Sequence, residues 1–288
     1  MITVILYLGT ANFGVAYGIT NQQRLPDEEI AQILNWSVNK FQALDLSTDY
    51  EGATKSVKNY ANNFKVSTKV VMDSYQKDGD LLKTISSEIQ ELKINSLDTL
   101  WVRSPKNFSS DSKRFWHELL EIQKQGLISK IGFSIYETYE IEELDRKFPG
   151  IDCFQVPESI ADRRFSRLIQ NNPRLKDKFQ FVIRSILLQG LLTMPTESIP
   201  TRLKSVISFR DELLHHPETQ NQSLIQLACG YANQLDWISG IIVGSNSLGQ
   251  LKETYSYLTQ HKKMSFDWLQ RVMELPREIT DPRIWSQV

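Results

Sequence analysis

The chain has 288 residues, with 33 Lys plus Arg against 34 Asp plus Glu and a formal net charge of -1. That balance lacks the basic excess of a nucleic-acid surface, so no nucleic-acid partner is expected. The only two cysteines, Cys153 and Cys229, stand far apart without C-x-x-C spacing. This argues against a disulfide framework and against a thiolate zinc site, and no metal is expected.

The start, Met1 to Thr10, has no basic n-region, and no run approaches the roughly 18 apolar residues of a membrane span. The expected compartment is the cytoplasm, with no membrane contact. Barrels of roughly 250 residues form one domain, and the expectation is one domain over residues 1–288.

In chain order, short apolar runs recur at residues 4–8, 43–46, 66–70, 100–102, 131–135, 154–156, 181–186 and 238–243. Several lack polar alternation, as strands of a parallel sheet covered on both faces do. Between them lie amphipathic stretches. Leu82, Ile85, Ile89 and Leu92 keep helical spacing, as do Phe115, Leu119, Leu120 and Ile122. Residues 191–198, after the seventh run, read as irregular, and residues 200–222 as partly helical sequence covering part of a cleft.

Eight strands alternating with helices predict a parallel α/β fold. No early strand is followed by G-x-G-x-x-G, which disfavours a doubly wound sheet and leaves the (β/α)8 TIM barrel.

In such barrels catalytic side chains sit at the C-terminal ends of strands. Asp45 ends the second run and Tyr50 follows it; Lys69 ends the third and Arg103 the fourth. Ser134, Gln155 with Glu158, Arg184 and the run Gly244-Ser245-Asn246 end the later ones. An Asp, a Tyr and a Lys together have a joint chemistry. A phenol with pKa about 10 is a poor acid at neutral pH. A neighbouring ammonium favours the phenolate and lowers that pKa, and a carboxylate keeps the ammonium charged. The product is a general acid able to protonate a carbonyl oxygen.

The segment from Asp45 to Tyr50, D-L-S-T-D-Y, resembles the aldo-keto reductase segment D-T-A-x-x-Y, and Val66-Ser67-Thr68-Lys69 resembles that family's strand ending in lysine. Gly9-Thr10 through Gly14, Lys130 through Ser134, Phe154 through Pro157, Leu188 through Leu192 and Val243 through Ser247 follow in family order. The resemblance implies NADPH (or NADH) as cofactor and a small-molecule carbonyl substrate. It implies Tyr50 as proton donor, Lys69 as its pKa-lowering partner, Asp45 as the anchor of Lys69, and Arg103 as the fourth catalytic position. Gly9, Thr10, Ser134, Gln155, Arg184, Gly244, Ser245, Asn246 and Gln250 fall at cofactor-binding positions. Ser245 and Gln250 stand where the family contacts the adenosine phosphate end.

Some positions depart from the family pattern. Residues 98–105, D-T-L-W-V-R-S-P, resemble a family segment with His where this chain has Arg103. Arg still donates hydrogen bonds but cannot accept a proton. Ile135 replaces an Asn, Arg184 an aromatic residue, and Asn246 or Gln250 the basic residue that often meets the 2'-phosphate. None of His117, His215, His216 and His261 ends an expected strand.

Three readings are open on the sequence. The first is an oxidoreductase whose pocket, with Lys69, Arg103 and Arg184 opposed by Asp45 and Glu158, favours an anionic or sugar-derived carbonyl compound. The second is a cofactor-binding barrel with little turnover, because Arg103 stands at the histidine position. The third is a glycosidase-like pair of Asp45 and Glu158.

Overall fold

The computed structural model describes residues 4–19, 23–72, 80–103, 110–219, 222–260 and 264–285. Eight parallel strands close a barrel in sequence order, with the last paired to the first. They are β1 (Ile5–Gly9), β2 (Ala43–Asp45), β3 (Lys65–Val71), β4 (Leu97–Arg103), β5 (Ile128–Ser134), β6 (Cys153–Pro157), β7 (Gln180–Arg184) and β8 (Gly240–Val243). All eight apolar runs are strands, and the differences lie at their ends. Ser185 takes φ 65, and β7 ends at Arg184, two residues before the expected stop at Ile186.

The helices are α1 (Ala11–Gly14), α2 (Asp27–Ser37), α3 (Ala53–Val57), α4 (Leu81–Leu92), α5 (Ser110–Lys124), α6 (Glu140–Lys147), α7 (Arg164–Asn171), α8 (Arg174–Lys178), α9 (Ser205–His215), α10 (Leu224–Gln234), α11 (Leu248–Thr259) and α12 (Arg277–Thr280). On α4 the predicted face is buried through Ile85, Ile89 and Leu92, while Leu82 is exposed and Leu81 takes the inward place one residue earlier. The Asp80 side chain accepts from the Lys83 amide and starts that helix, as N-cap carboxylates do.

Strand alternation divides the apolar residues into two layers. Phe154 and Val156 of β6 belong to the large cluster that includes residues of the surrounding helices. Cys153 joins Tyr7, Ala43, Trp101 and Val182 in a smaller cluster inside the barrel. Two glycines make room there. A Cβ on Gly132 would lie 2.6 Å from the Trp101 ring, and one on Gly240 would lie 2.6 Å from the Tyr7 ring. The interior is therefore packed, which leaves the C-terminal mouth as the place for a ligand.

A third cluster closes one side of that mouth. After β7 the chain makes an excursion through α9, whose Leu191, Leu203, Phe209 and Leu213 pack with Leu224, Trp268 and Ile279. The sequence expectation of a partly helical cover after the seventh strand is met here.

Candidate active site

The site is built on parity between neighbouring strands. Asp45 is paired in register with Ser67, so Lys69, two residues further along β3, points to the same face. Ser134 and Gln155 are likewise in register on β5 and β6. The four side chains join into one chain of hydrogen bonds. Ser134 Oγ donates to Gln155 Oε1 at 3.1 Å, and Gln155 Nε2 donates to Asp45 Oδ1 at 2.9 Å. Ser67 Oγ donates to the same carboxylate oxygen at 3.4 Å, and Lys69 Nζ lies 3.4 Å from Asp45 Oδ2. Asp45 and Lys69 are both buried. A buried charge without a partner is costly, and here each supplies the other's.

Tyr50 reaches this group from the turn after β2. Its amide donates to Ser47 O at 3.0 Å, and the Thr48 amide donates to Lys69 O at 3.0 Å, which ties the turn to β3. The opening segment fixes it from the other side. A Cβ on Gly14 would come within 2.6 Å of the Tyr50 and Glu51 carbonyl oxygens, so only glycine allows this approach. Lys69 Nζ is 5.9 Å from the Tyr50 ring centre. Among the described residues the Tyr50 hydroxyl has no hydrogen-bond partner. Burial pushes the phenol well above its ordinary value, the Asp45 carboxylate adds to the rise, and the Arg184 and Arg103 guanidiniums oppose it. The expected source of a lowering is Lys69; the cations that oppose the rise are the two arginines, and burial outweighs them.

Arg103 ends β4 as expected but does not line the cavity, and Glu158, contrary to expectation, does not stand in the mouth. Arg103 Nη1 pairs with Asp49 Oδ2 at 3.0 Å, both side chains are more than 40% exposed (46% and 42%), and Arg103 does not line the cavity. Glu158 does not face the mouth at all. It is three residues after the inward-pointing Gln155, so strand parity turns it toward the helices. Its Oε1 accepts from the Ser166 hydroxyl at 2.6 Å and from the Tyr231 hydroxyl, and its Oε2 from the Ser166 amide at 3.2 Å. Burial pushes its carboxyl up to about 8, against the opposing effect of these hydrogen bonds. The expected pair of Glu158 with Asp45 does not form, and Glu158 opposes neither arginine in the cavity.

Arg184 does line the cavity. Its Nη2 donates to Ile135 O at 3.0 Å, and its guanidinium lies 4.1 Å from the Tyr136 ring centre. Arg283 lies 3.7 Å from the same ring, and Glu137 next to it holds both Arg277 and Arg283. The C-terminal segment thus braces the loop on which Arg184 rests. Ile135 is buried. His216 stacks on Trp268 at 4.3 Å, and His215 bonds the Asp211 carbonyl. Among the described residues no three His, Cys, Asp or Glu stand together as a metal site. Ser104, Pro105 and His261 lie outside the described residues.

The cavity at the mouth has a volume of about 670 Å³. At one end lie Asp45, Tyr50, Lys69 and Gln155, and at the other Gly244, Ser245, Asn246 and Gln250; Gly9 and Thr10 line it between β1 and β8. Ser134 stands behind Gln155 rather than on the wall. The excursion after β7 supplies Leu187, Gln189 and Met194 to the wall. Ser185, Leu188 and Gln189 hold φ of 65, 48 and 53, and left-handed backbone at three non-glycine residues stores strain beside the cavity. Sequence reasoning missed Asn12, whose Nδ2 bonds both Ser245 O and Asn246 Oδ1 and fixes the β8 loop. It also missed Glu29, which caps the Leu248 amide at 2.6 Å. Both contacts span more than 200 residues of chain, and no local pattern encodes them.

A sequence model of the Aldo/keto reductase family matches residues 6–274. The chain belongs to that family, and is an oxidoreductase. No curated protein sequence matches significantly. Among solved structures, the holo form of aldo-keto reductase AKR11C1 from Bacillus halodurans shares 16% identity at TM-score 0.72, covering 96% of this chain and 95% of that one. Its apo form shares 17% identity at TM-score 0.67, covering 93% of this chain and 95% of that one. The thermostable aldo-keto reductase Tm1743, in complex with the inhibitor epalrestat, shares 20% identity at TM-score 0.67, covering 93% of each chain. At these identities the likeness is one of fold. No described helix is long and apolar enough to cross a membrane.

Proposed function

We propose that this protein reduces an aldehyde or ketone with NADPH or NADH bound at the barrel mouth, and that Tyr50 is the general acid. The observation that carries the reading is the unpartnered Tyr50 hydroxyl beside the buried Lys69–Asp45 pair, at one end of a cavity long enough to reach the β8–α11 turn. That shape suits an elongated dinucleotide. The cofactor supplies hydride to the carbonyl carbon. Tyr50 donates its proton to the carbonyl oxygen, and Lys69 stabilises the phenolate left behind. Asp45 holds Lys69 charged and oriented. Gln155, fixed by Ser134, orients Asp45, and its remaining amide hydrogen and carbonyl lone pair would serve a nicotinamide carboxamide.

Arg184 favours a carbonyl compound that bears a carboxylate or phosphate, such as an acidic sugar. Among the described residues its guanidinium has no carboxylate partner, and bidentate anion recognition is what Arg does well.

The second reading, a cofactor-binding barrel with little turnover, rests on Arg103. Turned to Asp49, Arg103 does not supply the second donor expected beside Tyr50, and loss of a placed donor costs about 3 kcal/mol of transition-state stabilisation. A titration with NADH and NADPH followed by turnover on neutral and anionic carbonyl compounds separates the readings. Binding with turnover supports the first, and binding without turnover on any member supports the second. Failure of both nucleotides to bind at millimolar concentration rules out both readings.

A further inference from the structure

We infer that the end of the cavity remote from Tyr50 selects against a phosphorylated ribose, so that the protein uses NADH in preference to NADPH. The inference rests on the nicotinamide reading above and concerns the walls at the β8–α11 end. Lys69 and Arg184 are the only Lys or Arg among the described residues that line the cavity; Lys69 is held by Asp45, and Arg184 is held toward Ile135 O and the Tyr136 ring after β5. At the remote end the lining includes Gln250, Thr254 and the carboxylate of Glu253, which is exposed on the second turn of α11.

A helix amino end can replace a missing cation, because its free amides and dipole attract phosphate. Here the Leu248 and Gln250 amides of the first turn, and the Asn246 and Ser247 amides before it, are already occupied. The Leu248 amide donates to Glu29 Oε1 at 2.6 Å, placing a second carboxylate on the amino end of α11. The Asn246 amide donates to Gln250 Oε1 at 3.1 Å, Ser247 N to Ser245 Oγ at 3.3 Å, and Gln250 N to Ser247 Oγ at 3.2 Å. A phosphomonoester carries about -1.5 to -2 charges at neutral pH. Placed here it would meet the Glu253 carboxylate on the wall and the Glu29 carboxylate on the Leu248 amide, no lining side-chain cation at this end, and a first turn with most of its amides committed to internal partners. A ribose bearing only hydroxyls brings no such charge, and its hydroxyls can donate to a carboxylate such as Glu253. The choice between a carboxylate for the ribose hydroxyl and a basic residue for the phosphate is a general one among dinucleotide sites.

The test is the dissociation constant of NADH and of NADPH, measured by calorimetry at low salt on the full chain. NADPH is expected to bind about tenfold or more weakly than NADH, with the gap closing as salt screens the carboxylates. The double variant Glu29→Gln/Glu253→Gln keeps a side-chain oxygen for the Leu248 amide and removes both charges. It should tighten NADPH and, because Glu253 accepts from the ribose hydroxyls, loosen NADH somewhat, so that the gap between the two closes. NADPH bound as tightly as NADH or tighter by the parent overturns the inference and leaves the nicotinamide reading standing. A parent preference for NADH that the double variant keeps in full also overturns it. Binding of neither nucleotide overturns both.

Discussion

Asp45 and Glu158 are both buried carboxylates at or just past the end of a barrel strand, yet their surroundings differ in every respect. Asp45 faces the cavity, with Lys69 at 3.4 Å and hydrogen bonds from Gln155 and Ser67. Glu158 faces the helix layer, where its partners are the hydroxyls of Ser166 and Tyr231 and no cation bonds it directly. A carboxylate beside a cation can remain charged in a buried site, whereas burial without a bonded cation drives one toward its protonated form despite the hydroxyls that donate to it. The first arrangement suits a reaction that needs a fixed charge. The second ties α7 to α10, because Ser166 and Tyr231 come from those helices.

The largest expected effect comes from Asp45→Asn. It leaves the Lys69 ammonium buried without its counter-charge, and unpairing a buried ion costs about 3–5 kcal/mol. Urea denaturation should show a loss of that order, together with a fall in turnover. A variant as stable as the parent would remove the distinction between the two carboxylates.

Glu158→Gln addresses the other side of the comparison. With its carboxyl pushed up to about 8 in the fold, Glu158 holds its proton through a range where the unfolded chain, near 4.5, has released it. The native state then binds more protons at this site, so the contribution of Glu158 to stability is full below about pH 4.5, declines as pH rises toward 8, and levels off above. The parent should lose a few kcal/mol over that window. The Gln variant should lack that share of the decline. Parallel stability curves for the two proteins would show that Glu158 is ionised in the fold.

Smaller effects sharpen the contrast between strained and relaxed parts of the mouth. Gln189→Gly should stabilise the fold by about 1 kcal/mol, since the left-handed backbone there costs any L side chain that much. Thermal unfolding would detect it, and a destabilised variant would locate the strain elsewhere. Arg103→Ala removes only a half-exposed ion pair with Asp49, so stability should change by less than about 1 kcal/mol. Cofactor affinity should also be nearly unchanged, and a large loss of affinity in a binding titration would return Arg103 to the cavity.

The barrel was legible because each strand is an apolar run bounded by polar segments, and because eight such runs alternate with amphipathic ones. The corner of Asp45, Lys69 and Gln155 was legible from strand ends alone, since inward-facing residues two apart share a face. Glu158 was not, although the same parity, counted from Gln155, turns it outward. The partners of Arg103 and Arg184 were not legible either. Asp49 and Tyr136 lie on loops, and side-chain directions there follow from packing rather than from period. The clamp of Glu29 on α11 joins residues 219 apart and is visible only in the folded chain.

The central claim is that Tyr50 delivers the proton while the cavity around it holds the nucleotide. The direct test is Tyr50→Phe, which removes one oxygen and leaves the ring in place. Cofactor dissociation constants and turnover should be measured side by side for this variant and the parent. The account predicts unchanged cofactor affinity and turnover lower by about 10²–10⁴, the usual contribution of a positioned general acid. Turnover at the parent rate, with the cofactor bound, would contradict it.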